Sequence, residues 1–240
     1  MLAITDLTKR FGAKVAVDAL SLRVREGELY AFLGPNGAGK TTTVKCVAGL
    51  LWPTSGRVLV GGHDVHADPL AAQRLLSYVP DQPYLYDKLS GREFLHFVGR
   101  LYGLDPKECA RAVQELLELF DAEAWADEMA ESYSHGMRQK IVLSAALVHS
   151  PKLLVVDEPM VGLDPASVKL VKTVLRQRVD AGCAVLMSTH ALSVAEEVAD
   201  RIGIIHRGRL LAEGTQEDLR RRASASERLE DIFLELTADA

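Results

Sequence analysis

Cys46, Cys109 and Cys183 are the only cysteines in 240 residues, and they lie far apart with no metal-ligand spacing. That excludes a disulfide framework and a zinc knuckle, and leaves three small apolar side chains suited to burial in a reducing compartment. No apolar run approaches the about 20 residues that a bilayer-spanning helix needs, because charge or glycine interrupts each one. A cationic-then-apolar leader with a cleavage site is missing too, so a cytoplasmic chain is expected. Positive charge is in short supply: a net charge of −5 gives no electrostatic reason for nucleic-acid binding. The run Arg220 to Arg222 is a local exception and reads first as a solvated helix end. Without internal repeats or low-complexity linkers, one set of motifs is expected on one large domain, or on a core with an inserted subdomain.

What the chain has is GPNGAGKTTT, from Gly34 through Pro35, Asn36, Gly37, Ala38, Gly39, Lys40, Thr41 and Thr42 to Thr43, directly after the apolar run Leu29 to Leu33. Gly34, Gly39, Lys40 and Thr41 fill the pattern G-x-x-x-x-G-K-[ST], set between a buried strand and a helix start. Glycines let the backbone curl so that successive N–H groups face one concavity. There, with the helix N-terminus, they can hold phosphate oxygens. Lys40 adds a point charge for the terminal phosphates, and the Thr41 hydroxyl can ligate Mg²⁺.

Taken in order, residues 2–29 read as short alternating strands turned at Phe11-Gly12 and Glu26-Gly27. Phe11 reads first as a core side chain; the alternative is an exposed ring near the phosphate loop, where a flat aromatic can stack on adenine. The helix after the loop is expected to run from Val44 to Leu51, followed by strands at Arg57–Val60 and Leu75–Val79 and a loop stiffened by Pro80 and Pro83. Residues 90–149 turn helical with legible ends. Ser90 and Glu93 form a capping box, Gly103 closes that helix, and Asp105-Pro106 opens one carrying Val113, Leu116, Leu117 and Phe120 at helical spacing. A further helix begins at YSHGM, Tyr133 to Met137, and runs toward Pro151. Ser134 and Gly136 at its start make a second anion-binding end, or, more simply, an ordinary serine cap.

Leu153 to Glu158 is an apolar run ending in two carboxylates, as a parallel strand buried on both faces would. Strand carboxyl ends are where open α/β sheets bind ligands. Asp157 would hold Mg²⁺ and Glu158 would take a proton from water attacking the γ-phosphate, unless the pair only caps a helix. Asp164 with Pro165 reads as a helix start, and Ala184 to Thr189 as a second buried strand. His190 then follows that strand, placed to meet a γ-phosphate or to serve a structural role. A hairpin across Arg207-Gly208 and an amphipathic helix with Leu229, Ile232, Phe233 and Leu236 on one face complete the chain.

In this order GPNGAGKTT, YSHGMRQK, LLVVDEP, VGLD and STH resemble the ATP-binding subunit of ABC transporters across essentially the whole chain. The resemblance implies an α/β fold: a P-loop, RecA-like core with an N-terminal antiparallel β subdomain (about 1–80 and 151–220), an inserted α-helical subdomain (about 81–150) and a C-terminal helix (about 221–240). It also implies ATP and Mg²⁺ as cofactors, and two subunits, alike or different, joined head to tail. Each ATP is then held between one subunit's P-loop and the partner's YSHGM segment, through Ser134 and Gly136. Phe11 stacks on adenine, His190 senses the γ-phosphate, and Asp164 belongs to a loop crossing the interface. The family's common LSGGQ is YSHGM here, and Asp81, or Gln82 after a one-residue shift, stands where the family has its metal- and water-sensing Gln. The wording YVPDQPYLYDKLSGREFL and LEDIFLELT resembles the ABC-2 type exporter subgroup, in which acidic residues at the Asp81 position are familiar. The expectation is therefore an ATPase that drives a separate permease from the cytoplasmic face of the membrane, touching it near Tyr84, Leu85 and Tyr86. A non-transport, regulatory or mechanical ATPase of the same family is the alternative.

Overall fold

Alternating apolar and polar residues form β1 (Leu2–Phe11), which turns at Gly12 and returns as the antiparallel β2 (Lys14–Val24). The two strands are longer than the expected short ones because register shifts along β1 absorb the polar interruptions without ending the ladder. Every residue of β3 (Leu29–Leu33) is buried. α1 (Lys40–Val47) ends earlier than expected, since Gly49 takes a left-handed turn at φ +72°. β4 (Ser55–Val60) and the two-residue β5 (His63–Asp64) precede α2 (Pro69–Leu75), a helix too short to show periodicity in the sequence. β6 (Leu76–Val79) follows it.

The next helices carry their ends in the sequence. In α3 (Gly91–Leu101) the Ser90 Oγ accepts from the Glu93 N–H at 3.2 Å, and Glu93 Oε2 accepts from the Ser90 N–H at 2.8 Å. Gly103 N bonds Arg100 O and Leu104 N bonds Gly99 O, both at 3.1 Å, with Gly103 at φ +83°. Those paired bonds satisfy the last carbonyls of α3. Asp105 caps α4 (Pro106–Leu119), accepting from the Lys107 and Glu108 N–H groups. α5 (His135–Leu147) stops before the expected Pro151.

β7 (Leu153–Asp157), α6 (Pro165–Asp180), β8 (Ala184–Thr189), α7 (Leu192–Val198), β9 (Arg201–His206), β10 (Arg209–Gly214) and α8 (Gln216–Arg222) complete the described chain, which comprises residues 1–222 and Phe233 of this computed structural model. Of the C-terminal stripe, Phe233 packs against the core, while Leu229, Ile232 and Leu236 lie outside the described residues. The hairpin turn expected at Arg207-Gly208 joins β9 to β10, with φ of +45° and +82°.

Two sheets result, β2-β1-β4-β5, antiparallel, and β10-β9-β3-β8-β7-β6, in which β9, β3, β8, β7 and β6 run parallel. Period-two alternation divides β3 between two cores. Tyr30 and Phe32 join β1, β2, β4 and the α1 residues Val44, Cys46 and Val47, so α1 is packed between the sheets. Leu29, Ala31 and Leu33 join residues of α3, α4, α5 and α6 on the opposite face. The three cysteines are all buried and free, as expected.

Where α3 meets α5, the His149 ring stacks on Tyr102 at 3.5 Å and 7°, and burial pushes its pKa down to about 4. An unfolded chain, with a histidine near 6.5, binds a proton there that the folded chain refuses. Stability from this group is therefore full above pH 6.5 and lost as pH falls toward about 4. His149→Phe, which keeps a ring against Tyr102, should flatten that part of the acid decline in urea midpoints measured from pH 7 to about 4.5. An identical decline in both chains would show that burial does not perturb His149.

Candidate functional site

The loop between β3 and α1 is moulded by backbone on three sides. Gly208 N donates to Ala38 O at 2.8 Å, Asp18 N donates to Gly208 O at 2.9 Å, and Gly34 N reaches Thr189 O at 3.3 Å. Gly39, at φ +110°, faces the Ala16 carbonyl so closely that a Cβ would sit 2.5 Å from it. No side chain caps α1, so the N–H groups of its first turn are available to an anion, while in the loop before it Ala38 N donates to Pro35 O at 3.2 Å. Pro35 and Gly39 are half-buried, Asn36 and Gly37 are exposed, and Thr41 and Thr42 lie partly accessible on the first turn.

Lys40 is buried, its Nζ 2.7 Å from Gly34 O, 3.2 Å from Pro35 O and 3.5 Å from Glu158 Oε1. Desolvation lowers its pKa, opposed by the charges of Glu158 and Asp157. Asp157, the last residue of β7, is fully buried. Ser188 Oγ donates to its Oδ1, and its Oδ2 has no hydrogen-bond partner. Burial raises the Asp157 pKa, hydrogen bonds from Ser188 and Thr41 oppose this, and the Asp81 and Glu158 charges reinforce it. The sequence reading missed Ser188, although a serine inside an otherwise apolar buried run was a visible signal.

A divalent cation fits this corner. An orphaned buried carboxylate oxygen beside a threonine hydroxyl is a hard oxygen donor set in want of a partner. Among the described residues no group of three His, Cys, Asp or Glu is placed to hold a metal.

Glu158 leaves β7 at φ +49°, a left-handed turn uncommon for a side chain this size, with its N–H held by Ser188 O at 3.1 Å. Its Oε1 lies 2.9 Å from His190 Nδ1 as well as near Lys40. The structure thus brings Lys40, Thr41, Asp157, Glu158 and His190, drawn from three strand ends, into one cluster. Asp81 stands in the exposed loop after β6, near enough for its charge to act on Asp157; Gln82 is exposed beside it.

Other expected site residues lie elsewhere. Phe11 is 49% exposed at the end of β1, which overturns its reading as a core side chain. Lys9 Nζ sits 5.1 Å from the ring centroid. Ser134 caps α5, its Oγ accepting from Met137 N at 3.3 Å. Among the described residues no hydrogen bond or ion pair links Ser134 or Gly136 to the β3–α1 loop. Asp164 is committed to its own helix, accepting from the N–H groups of Ala166 and Ser167 at 3.0 Å and the Ser167 hydroxyl at 2.6 Å, bonds that lower its pKa. Tyr84 and Tyr86 are exposed, with Tyr86 edge-on to Phe94 and Phe97. Leu85, expected in the same surface cluster, is buried instead, because the loop turns its short apolar side chain into the core shared with α3.

Comparison with known proteins agrees with this geometry. A family model described as ABC transporter matches residues 17–161. The linearmycin resistance ATP-binding protein LnrL of Bacillus subtilis (strain 168) is 36% identical over 237 residues, covering 99% of this chain and 75% of that protein. The daunorubicin resistance ATP-binding protein DrrA3 of Streptomyces coeruleorubidus is 39% identical over 219 residues, covering 91% and 69%. A solved structure of an ATP binding subunit of an ABC transporter superposes with a TM-score of 0.92 at 33% identity, covering 98% of this chain and 99% of that one.

Lys40→Ala removes the buried cation while leaving the loop's N–H groups in place. It should weaken ATP binding by about 1.5–3 kcal/mol, roughly tenfold or more, in titration calorimetry. Unchanged affinity would overturn the placing of phosphate at this loop.

Proposed function

The chain belongs to the ABC transporter family as an ATP-binding cassette, and from that premise we propose that it is the ATP-hydrolysing subunit of an exporter, acting in a head-to-tail pair on a separate membrane permease. The observation that carries this reading is Glu158 held between Lys40 and His190 at the carboxyl end of the parallel sheet. Lys40 exchanges its carbonyl and carboxylate contacts for phosphate oxygens when ATP binds. The loop N–H groups of Asn36 and Gly37 and those from Gly39 to Thr42 orient those oxygens beside Pro35, Gly34 and Ala38 shape the loop through their own backbone bonds, and Phe11 stacks on adenine. Glu158 Oε1, freed from Lys40, takes a proton from the attacking water, while His190 holds the carboxylate in place. Thr41 and Asp157, with Asp81 nearby, would hold Mg²⁺, which neutralises charge on the terminal phosphates when bound.

Ser134 and Gly136 complete the site of a second subunit, and Asp164 fixes the loop that crosses between the two. We divide the chain accordingly: core and β subdomain at about 1–80 and 151–220, helical subdomain at about 81–150. Exposed Tyr84 and Tyr86 adjoin Phe97 of α3, whose last residue Leu101, with Tyr102 just after it, lines a cleft of about 520 Å³ facing Leu70 and Arg74 of α2. That aromatic and apolar surface suits a permease segment, the route by which the subunit reaches the cytoplasmic face of a membrane. Among the described residues no helix is long and apolar enough to cross one itself.

Glu158→Gln should lower ATP turnover by about 100-fold or more while preserving ATP binding. With saturating MgATP its mass should double in light scattering. Near-native turnover would remove Glu158 from its role, and a strictly monomeric species would count against pairing of like subunits. Separately, Tyr84→Ser with Tyr86→Ser should abolish co-purification with the permease at unchanged ATP affinity. Retained assembly would place the contact elsewhere.

A further inference from the structure

The start of α5, which the proposed pairing turns toward the partner's ATP, is fastened within its own chain to the loop that follows Glu158. His135 Nε2 lies 3.2 Å from the Val161 carbonyl oxygen, so that nitrogen carries the proton and donates. One turn on, Gln139, 2% exposed, donates from Nε2 to Pro159 O at 3.3 Å. His135 is exposed, but one side of its imidazole is closely met: Gly162, at φ +75°, abuts the ring, and a Cβ there would sit 3.1 Å from both Cδ2 and Nε2. Gly136 is also in reach of the loop, since a Cβ on it would lie 3.8 Å from Leu163 Cδ2.

The far end of this loop is the catalytic carboxylate. Val161 N donates to Glu158 O at 3.2 Å, and Glu158 N is held by Ser188 O at 3.1 Å. One hydrogen-bonded turn therefore separates the residue that His135 grips from the residue proposed as base. Glu158 sits in a left-handed conformation that only its surroundings maintain, so a shift of the loop is felt at its side chain.

We infer that His135 is a positioning residue that ties the α5 start to the loop after Glu158, so that phosphate contact by Ser134 and Gly136 at one nucleotide orients Glu158 at the other. This rests on the head-to-tail pairing proposed above. His135 touches no reacting atom and acts through Val161 and the loop. The two sites would then be coupled by a hydrogen bond that each subunit makes to itself.

His135→Leu removes the donor while filling much of the same space, and His135→Gln keeps an amide N–H at similar reach. In steady-state hydrolysis by the full chain with MgATP, His135→Leu should lower kcat about tenfold and bring the Hill coefficient to about 1, with ATP affinity unchanged. His135→Gln should recover most of both losses. Native kcat and cooperativity in His135→Leu would overturn the inference, as would equal losses in the Leu and Gln variants, which would mark a packing defect. Light scattering separates this from the underlying reading. Glu158→Gln alone remaining monomeric with MgATP overturns the pairing itself. Doubling by Glu158→Gln but not by Glu158→Gln with His135→Leu overturns the relay, because His135 would then serve assembly.

Discussion

A lysine ammonium withdrawn from water and faced with a carboxylate is the interaction on which the rest of this structure depends. At 3.5 Å the Lys40–Glu158 attraction amounts to about 5 kcal/mol in a medium of effective dielectric about 20. Removing both charges from water costs several kcal/mol per ion. Desolvation is the larger influence on Lys40, since its pKa is lowered despite two nearby carboxylates. The ammonium is therefore under-compensated, which in the proposed cycle favours its exchange of Glu158 for the greater negative charge of a polyanion. A single arrangement holds the loop in place and, in the proposed function, prepares it for phosphate.

Holding that lysine requires rigid backbone on every side, which the two-sheet architecture supplies. β3 lies between β9 and β8, so the loop leaving it meets the β9–β10 turn through Ala38 and Gly208 and the end of β8 through Thr189. β2 closes the third side through Ala16, at a distance only glycine tolerates. α1 is then fixed between the sheets by Val44, Cys46 and Val47, so its first turn cannot drift from the strand ends carrying Asp157 and His190. The same layering explains why β3 and the first four residues of β7 and of β8 are apolar: alternate residues enter different cores.

Much of this was legible in the sequence wherever the deciding physics is local. The capping box at Ser90 and Glu93 and the Asp105 and Asp164 caps depend on side chains two or three residues from the groups they satisfy, the Gly103 stop depends on one left-handed residue, and all are present. Features that depend on distant packing were read less well. Phe11 is apolar yet exposed, because it pairs with Lys14 at the tip of the β1–β2 hairpin, beyond the last β1–β4 pair at Thr8 and Ser55. Leu85 is flanked by two exposed tyrosines yet buried. α2 escaped notice because a helix of seven residues shows less than two turns of pattern. Ser188 acquires its role from Asp157, which lies across the ladder from it and far away in sequence.

The sequence by itself determined the chemical groups and their order along the chain: a glycine-rich loop ending in Lys40 and Thr41, two carboxylates after an apolar run, and a histidine after another. These are short-range patterns, and spacing within a few residues carries them. Only the tertiary structure decided which groups meet. Glu158 faces both Lys40 and His190 because three parallel strands end at one level, and His135 grips Val161 because α5 packs beside the loop after β7. Such juxtapositions join residues far apart in the chain, and their geometry is set by how sheets and helices pack together, which no local window of sequence contains.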